Sequence, residues 1–401
     1  MPANSHHQVT ELRIVPGTAD SRQARLKMMR MRILIVPGVD WFTALENRIH
    51  HFTRFWRRQH ETHVIHISLG GQPIRGNEGD EIHRIRNFRS GGLLTYYLAN
   101  FLPQMVQILA VMRREEIELV VTNGLSAGTA AIIVAKISDT PIIFDYSDYL
   151  PAFSRYTGMS GIVERLLRWV GELVTTFNLR VADASVAIGK KLRRHSQCYS
   201  TIFHQIPNGV DGSRFREVKR QPGSVPTVGY VGVLEFFVDL ESAIKSLQLV
   251  PGVDLVVVGD GRERERLVAI SNDLGLEDRI EFVGRVPYEE VPGWMASMDV
   301  CLLPFLRNDL TEAALPLKIH EYAACRRPII STALFEVVRM YGDLVVHAEG
   351  SGQIASGILE ILENRKATLK RTRRAYLRST MTYDWRRLAD RYEKVFGRIL
   401  T

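Results

Sequence analysis

Short apolar runs that end on glycine, proline or a polar turn, each followed by a longer segment of helical period, recur along this chain of 401 residues. Strands separated by helices cannot pair through tight hairpins, so the alternation predicts parallel sheets covered by helices, the α/β class. Residues 32–36 (RILIV) form the first run, closed by Pro37-Gly38, and residues 44–58 follow as an amphipathic helix. Further strands are expected at 62–67, 118–122, 141–145 and 184–188, with a long apolar helix at 94–113 and an Ala-rich one at 127–137.

A turn-rich break, Ile206-Pro207-Asn208-Gly209-Val210-Asp211, and a polar stretch over 214–226 interrupt the series. A second series starts at 227–231, which leads into Gly232, and continues with 255–258 into Gly259-Asp260-Gly261, 280–283 into Gly284 and 300–303 into Pro304. The chain therefore reads as two doubly wound, Rossmann-like domains facing a cleft, 31–212 and 213–382. A polar lead-in without period covers 1–30, with translation expected to start near Met28, Met29 or Met31, and a helix within 383–401 is expected to pack back towards the first domain. Ligands of such open sheets sit beyond the carboxyl ends of the strands, which singles out the residues just after each apolar run.

Charge and cysteines narrow the partners. A net charge of +8 and a pI near 9.4 point to an anionic partner, whether lipid headgroups or a phosphorylated substrate. The sequence shows no helix-turn-helix, OB or RRM pattern, so nucleic acid is not expected. Cys198, Cys301 and Cys325 are odd in number and far apart, which suits a reducing cytoplasm and builds neither a disulfide framework nor a zinc knuckle. Without a signal-peptide core or an apolar run of about 20 residues, the protein is expected to be soluble or peripheral to a membrane.

The strongest local signal is Leu315-Pro316-Leu317-Lys318-Ile319-His320-Glu321-Tyr322, followed by Arg326-Arg327-Pro328. Pro316 suits the first turn of a helix, and the free amides near Leu317 and Lys318 then lie at the positive end of the helix dipole, where a phosphate binds. Lys318 adds a full charge, and Glu321, three residues on, shares its face. The same spacing also describes an ordinary surface ion pair, and spacing alone leaves both readings open. His320 reads as a packed helix residue.

These residues resemble the GT-B glycosyltransferases of the group 1/family 4 type, in particular a bacterial exopolysaccharide and glycolipid branch with the motif P-x-K-x-x-E-Y. The carriers are 206–211 (IPNGVD), 228–233 (VGYVGV), 257–261 (VVGDG), 282–288 (FVGRVPY), 299–305 (DVCLLPF) and 316–330. The resemblance implies transfer of a sugar from a nucleotide diphosphate sugar, a UDP-sugar by expectation, to a glycan or polyprenyl-linked acceptor in surface polysaccharide or glycolipid synthesis. It implies that Gly232 approaches the donor diphosphate, that the backbone of Arg285 and Val286 borders the nucleobase, that Leu317 and Lys318 hold the diphosphate, and that Glu321 binds the ribose. Neither a cofactor nor a metal is expected, since Lys318 and the helix dipole would neutralise the leaving diphosphate.

Two departures stand out. The family's usual pair of glutamates flanking seven residues is broken, because Ala313 stands where the first would be and Glu312 is one place off. The basic residues common after the first glycine of the donor domain are missing, as Gly232 is followed by Val233-Leu234-Glu235. An inverting transfer, as in the branch resembled, needs a base in the first domain. Asp145 and Asp148 at a strand end are the first candidates, with Asp40 and Asn123 on the acceptor side; retention or inversion stays open. Asp148 also suits a helix cap and Asn123 a turn.

Basic residues with aromatic neighbours at 54–58, 84–89 and 165–169, beside the apolar helix with Tyr96, Tyr97, Phe101 and Leu102, read either as a face for anionic lipid on the inner side of a membrane or as a solvated surface. The competing functional readings are a nucleotide-sugar epimerase of the same architecture and a non-catalytic donor-binding subunit.

Overall fold

The computed structural model describes residues 30–42, 46–67, 79–88, 93–156, 161–216 and 225–400, and of 93–98, 153, 155 and 156 the backbone only. The lead-in up to residue 29, most of the polar stretch after 216, Arg89, and the side chains of Tyr96 and Tyr97 lie outside the described residues.

The first series runs β1 (Arg32–Val36), α1 (Arg48–Trp56), β2 (Glu61–Ile67), β3 (Glu81–Ile85), α2 (Leu93–Arg114), β4 (Leu119–Thr122), α3 (Ser126–Ile137), β5 (Ile142–Tyr146), α4 (Gly161–Val181), β6 (Ala184–Ala187), α5 (Lys190–Gln197) and β7 (Phe203–Gln205). After the connecting turn α6 (Gly212–Arg216) comes the second series, β8 (Thr227–Val231), α7 (Leu240–Ser246), β9 (Asp254–Val258), α8 (Arg264–Asp273), β10 (Ile280–Gly284), α9 (Val291–Ser297), β11 (Val300–Leu303), α10 (Asp309–Ala313), α11 (Leu317–Ala324), β12 (Ile329–Ser331), α12 (Phe335–Tyr341), β13 (Val346–His347) and α13 (Gly350–Glu363). Two helices close the chain, α14 (Arg365–Thr382) and α15 (Trp385–Ile399).

Every strand pairing is parallel, in the orders β3-β2-β1-β4-β5-β6-β7 and β10-β9-β8-β11-β12-β13. Chain direction across each sheet reverses beside its first strand, between β1 and β4 and between β8 and β11, and such a switch point opens a crevice. Strands β4, β5 and β6 are buried along their whole length, which is why their sequences are runs rather than alternations. The edge strands β3, β7 and β13 escape the pattern reading because they are short or polar: EIHRI, FHQ and VH. β12 is three buried residues hidden behind the Pro328 turn.

The closing helix α15 buries Trp385, Leu388, Tyr392, Val395 and Phe396, a stripe at helical spacing. That stripe lies on α1 of the first lobe, where Phe52 meets Trp385 and Tyr392 edge-on at 5.1 and 5.0 Å and Trp56 meets Phe396 at 5.2 Å. Residues 54–58 are consequently no lipid face: Trp56 is fully buried and Arg54 is held by Glu46 at 2.6 Å. The helix there also starts later than its apolar period suggested, because Asn47 caps it and forms a reciprocal box with His50. Pro316 stands one place before α11 with extended backbone (ψ 129°) rather than inside its first turn.

Candidate active site

The carboxyl ends of the two sheets face one another across a cavity of about 1540 Å³. On the second-lobe side its wall is a set of strand-end turns drawn together by backbone hydrogen bonds: the Gly232 amide donates to the Val258 carbonyl (2.9 Å) and the Gly259 amide to the Gly284 carbonyl (2.8 Å). Gly259 has φ +139° and a Cβ there would collide with the Gly232 carbonyl, so this wall is backbone by necessity. Gly232, Arg285 and Val286 line the cavity together with Leu317 and Lys318. On the opposite wall Asn123 lines it too, and its Oδ1 accepts the Gly38 amide at 2.7 Å, locking two first-lobe turns whose glycines, Gly38 and Gly124, touch backbone to backbone.

The helix α11 presents its start to the cavity. As its first two residues, Leu317 and Lys318 have amides without an intrahelical acceptor. The Lys318 ammonium lies 2.8 Å from Glu321 Oε2 and 5.8 Å from the Tyr288 ring centroid, and the Tyr288 hydroxyl donates to Glu321 Oε1 at 2.7 Å. Glu321 is 2% exposed and does not line the cavity, so the expectation that it faces the ribose directly is corrected: Tyr288 and Lys318 cover it. Burial, and after it the Glu321 charge, pushes the Tyr288 hydroxyl well above its ordinary pKa. Glu312 is committed elsewhere, to Arg307 (2.7 Å) and the Phe335 amide (3.0 Å), and Ala313 is buried.

Asp145 and Asp148, three residues apart, have opposite settings. Asp145 is fully buried and off the cavity wall; Arg48 binds it through Nε (2.9 Å) and Nη2 (3.1 Å), and the Tyr392 hydroxyl donates to it at 2.9 Å. With its oxygens so engaged it cannot take a proton from an acceptor, which corrects its candidacy as a base. Asp148 lines the cavity, reachable by solvent, and accepts from Ser147 Oγ at 2.9 Å. Although Asp148 is exposed on the cavity wall, desolvation by the surrounding lobes raises its carboxyl pKa, with the Asp145 charge adding to the rise and the Ser147 hydrogen bond and Arg48 charge opposing it. Asp40 is buried behind the wall, accepting the Phe42 amide (3.1 Å) beside His66 (3.7 Å), so it does not face the acceptor side either.

Two residues that pattern reading passed over tie these parts together. Arg48 also donates through Nη1 to the Ile206 carbonyl (3.0 Å) and to Asn208 Oδ1 (3.1 Å), and Asn208 Nδ2 donates to the Leu315 carbonyl at 2.6 Å, at the loop that leads into α11. Asn208 lay in view within the turn motif; Arg48 looked like any charged residue of an amphipathic helix. Among the described residues no group of three or more His, Cys, Asp or Glu could hold a metal ion. His320 is buried with its Nδ1 2.8 Å from the Tyr341 hydroxyl.

Two parallel α/β lobes with facing switch points and a helix start between them define the GT-B architecture. A "Glycosyltransferase Family 4" model matches residues 45–214 and a "Glycosyl transferases group 1" model residues 225–364. The chain belongs to these group 1/family 4-type glycosyltransferases. It is 24% identical to a phosphatidylinositol N-acetylglucosaminyltransferase component of Arabidopsis thaliana, over 92% of this chain and 83% of that protein. Its fold is similar to that of the sucrose-phosphate synthase from Thermosynechococcus elongatus (TM-score 0.77, 16% identity, 92% of this chain and 99% of the other). The Anabaena protein HepE in complex with UDP-glucose is similar as well (TM-score 0.71, 16% identity, 92% and 100%).

The packing behind the site fixes an acid response. Burial, aided at His51 by the Arg54 charge, lowers the pKa of His51 and of His320 from 6.5 to about 3. The unfolded chain therefore takes up these protons near pH 6.5 while the folded one does not, so stability falls as pH drops from 6.5 towards 3, by up to ~1.4 kcal/mol per pH unit for each histidine. Urea midpoints measured at neutral and mildly acid pH are expected to show this loss, and to show less of it in H51Q and H320Q; a midpoint indifferent to pH would contradict the burial of both rings.

Proposed function

We propose that this glycosyltransferase moves a hexosyl group from a UDP-sugar held by residues 213–382 to a glycan or lipid-linked acceptor held by residues 31–212, in surface polysaccharide or glycolipid synthesis. The observation that carries the reading is the start of α11, whose open amides and Lys318 face the cavity beside the Gly232 turn. That the similarly folded HepE was solved with UDP-glucose supports a uridine donor, with Arg285 and Val286 beside the base.

In the reaction the acceptor hydroxyl oxygen bonds to the anomeric carbon as the bond from that carbon to the diphosphate oxygen breaks. The diphosphate leaves with the electron pair, and the hydroxyl proton passes to Asp148, whose raised pKa suits a general base. Lys318 turns from Glu321 to the leaving diphosphate. Charge neutralisation by Lys318 and the α11 amides makes the chemistry independent of metal and cofactor.

An acceptor with a hydrocarbon tail fits the first-lobe wall, where Phe101, Leu102, Leu167, Val170 and Val174 line the cavity. From there the apolar surface continues outwards along α4, where Ile162, Leu166, Trp169 and Leu173 are 73, 56, 59 and 49% exposed in one stripe. The relative named for N-acetylglucosaminyl transfer to phosphatidylinositol supports such a lipid acceptor. No helix among the described residues is long and apolar enough to cross a membrane, and the reading places the protein peripherally on the cytoplasmic face.

Calorimetry with UDP is expected to show K318A binding about 10- to 100-fold more weakly with the fold intact, the size of a lost charge-assisted hydrogen bond; equal affinity would remove α11 from the donor site. D148N is expected to lower kcat by roughly 10²–10⁴, and the wild-type rate to fall with acid at a higher pH than for an ordinary carboxylate. An unchanged rate in D148N would dismiss it as the base. Transfer is expected to survive exhaustive chelation, and loss restored by a divalent cation would refute the metal-free scheme.

A further inference from the structure

The net charge of +8 is not spread over the chain. Residues 365–400 hold twelve Lys and Arg against three Asp and Glu, a net of +9, so the other residues together are nearly neutral. α14 alone contributes seven of these cations and no acid. It seats itself by a narrow stripe of small residues, Thr368, Thr372, Ala375 and Ser379, the last donating to the His320 carbonyl of α11 at 2.8 Å.

On the outward side two rows run with a spacing of four: Lys366, Lys370, Arg374 and Arg378 in one, Leu369, Arg373, Leu377 and Met381 in the other. Like charges four apart on a helix repel, so the first row destabilises an isolated helix. Arg374 meets Asp343 at 3.0 Å on open surface, while Lys366, Lys370, Arg373 and Arg378 form no ion pair among the described residues. Leu369, Leu377 and Met381 project between the cations, 61, 42 and 55% exposed. Cations interleaved with apolar tips match the boundary of a bilayer with anionic headgroups, where phosphates relieve the repulsion and the apolar tips leave water. A polynucleotide would satisfy the cations and leave those three side chains wet.

We propose that α14 docks the second lobe onto a bilayer rich in anionic lipid. The proposal rests on the peripheral reading given above, and it puts the charged contact on the lobe opposite the apolar stripe of α4, directly behind the helix that faces the donor. In co-sedimentation, the full chain is expected to bind vesicles of phosphatidylcholine with phosphatidylglycerol, to be released by salt, and to ignore pure phosphatidylcholine. K366Q/K370Q/R373Q/R378Q is expected to bind the anionic vesicles about 1000-fold more weakly, in line with four surface cations lost. L369S/L377S/M381S is expected to bind less as well, and both variants to keep UDP affinity and transfer to a water-soluble acceptor. Undiminished vesicle binding by the charge variant overturns the proposal, as does binding of duplex DNA or RNA in preference to vesicles. If substitutions in α4 alone release the protein from vesicles, α14 is excluded and the peripheral reading survives; failure of the wild type to bind UDP strikes the donor site instead.

Discussion

The buried pair of Arg48 and Asp145 is the joint on which this molecule is assembled. Asp145 ends a central strand of the first sheet, Arg48 begins the helix on which α15 packs, and Tyr392 of α15 binds the same carboxylate. Through Asn208 the guanidinium reaches the Leu315 carbonyl, so one network joins the first core, the closing helix, the interlobe turn and the loop entering α11. A charge pair so deep gains little over an apolar replacement, yet losing one partner strands the other at a cost of about 3–5 kcal/mol. For a fold stable by only about 5–15 kcal/mol, that makes the pair a condition of its geometry.

Around this joint the two lobes solve one problem in different ways. In the first lobe, the strand ends are held by side chains, as where Asn123 holds the Gly38 amide. In the second, backbone ties Gly232 to Val258 and Gly259 to Gly284, and the Tyr322 hydroxyl accepts the Val231 amide beside them. The open amides at the start of α11 suit phosphate oxygens.

The sheets were legible because buried parallel strands are apolar runs, and residues 32–36, 227–231 and 300–303 coincide with strands. What pattern could not see is burial without apolarity. Asp145 and Asp148 are both acidic, three residues apart at one strand end, and only the packing of Arg48 and Tyr392 separates an anchor from a cavity carboxylate. Glu321 was placed on the Lys318 face correctly by helical spacing, but spacing knows nothing of Tyr288, which arrives from the turn after β10 to cover it. Trp56 misled in the same way: aromatic and basic neighbours look like a membrane face until α15, more than 300 residues on, is laid over them.

The contact between Lys318 and Glu321 bears on turnover as much as on binding. An ammonium that already has a carboxylate at 2.8 Å gives up part of its attraction for any incoming diphosphate. On the proposed donor reading, the same carboxylate reclaims the ammonium as the nucleoside diphosphate departs. Such a site trades tightness for release, which favours an enzyme that cycles over one that clings to its product.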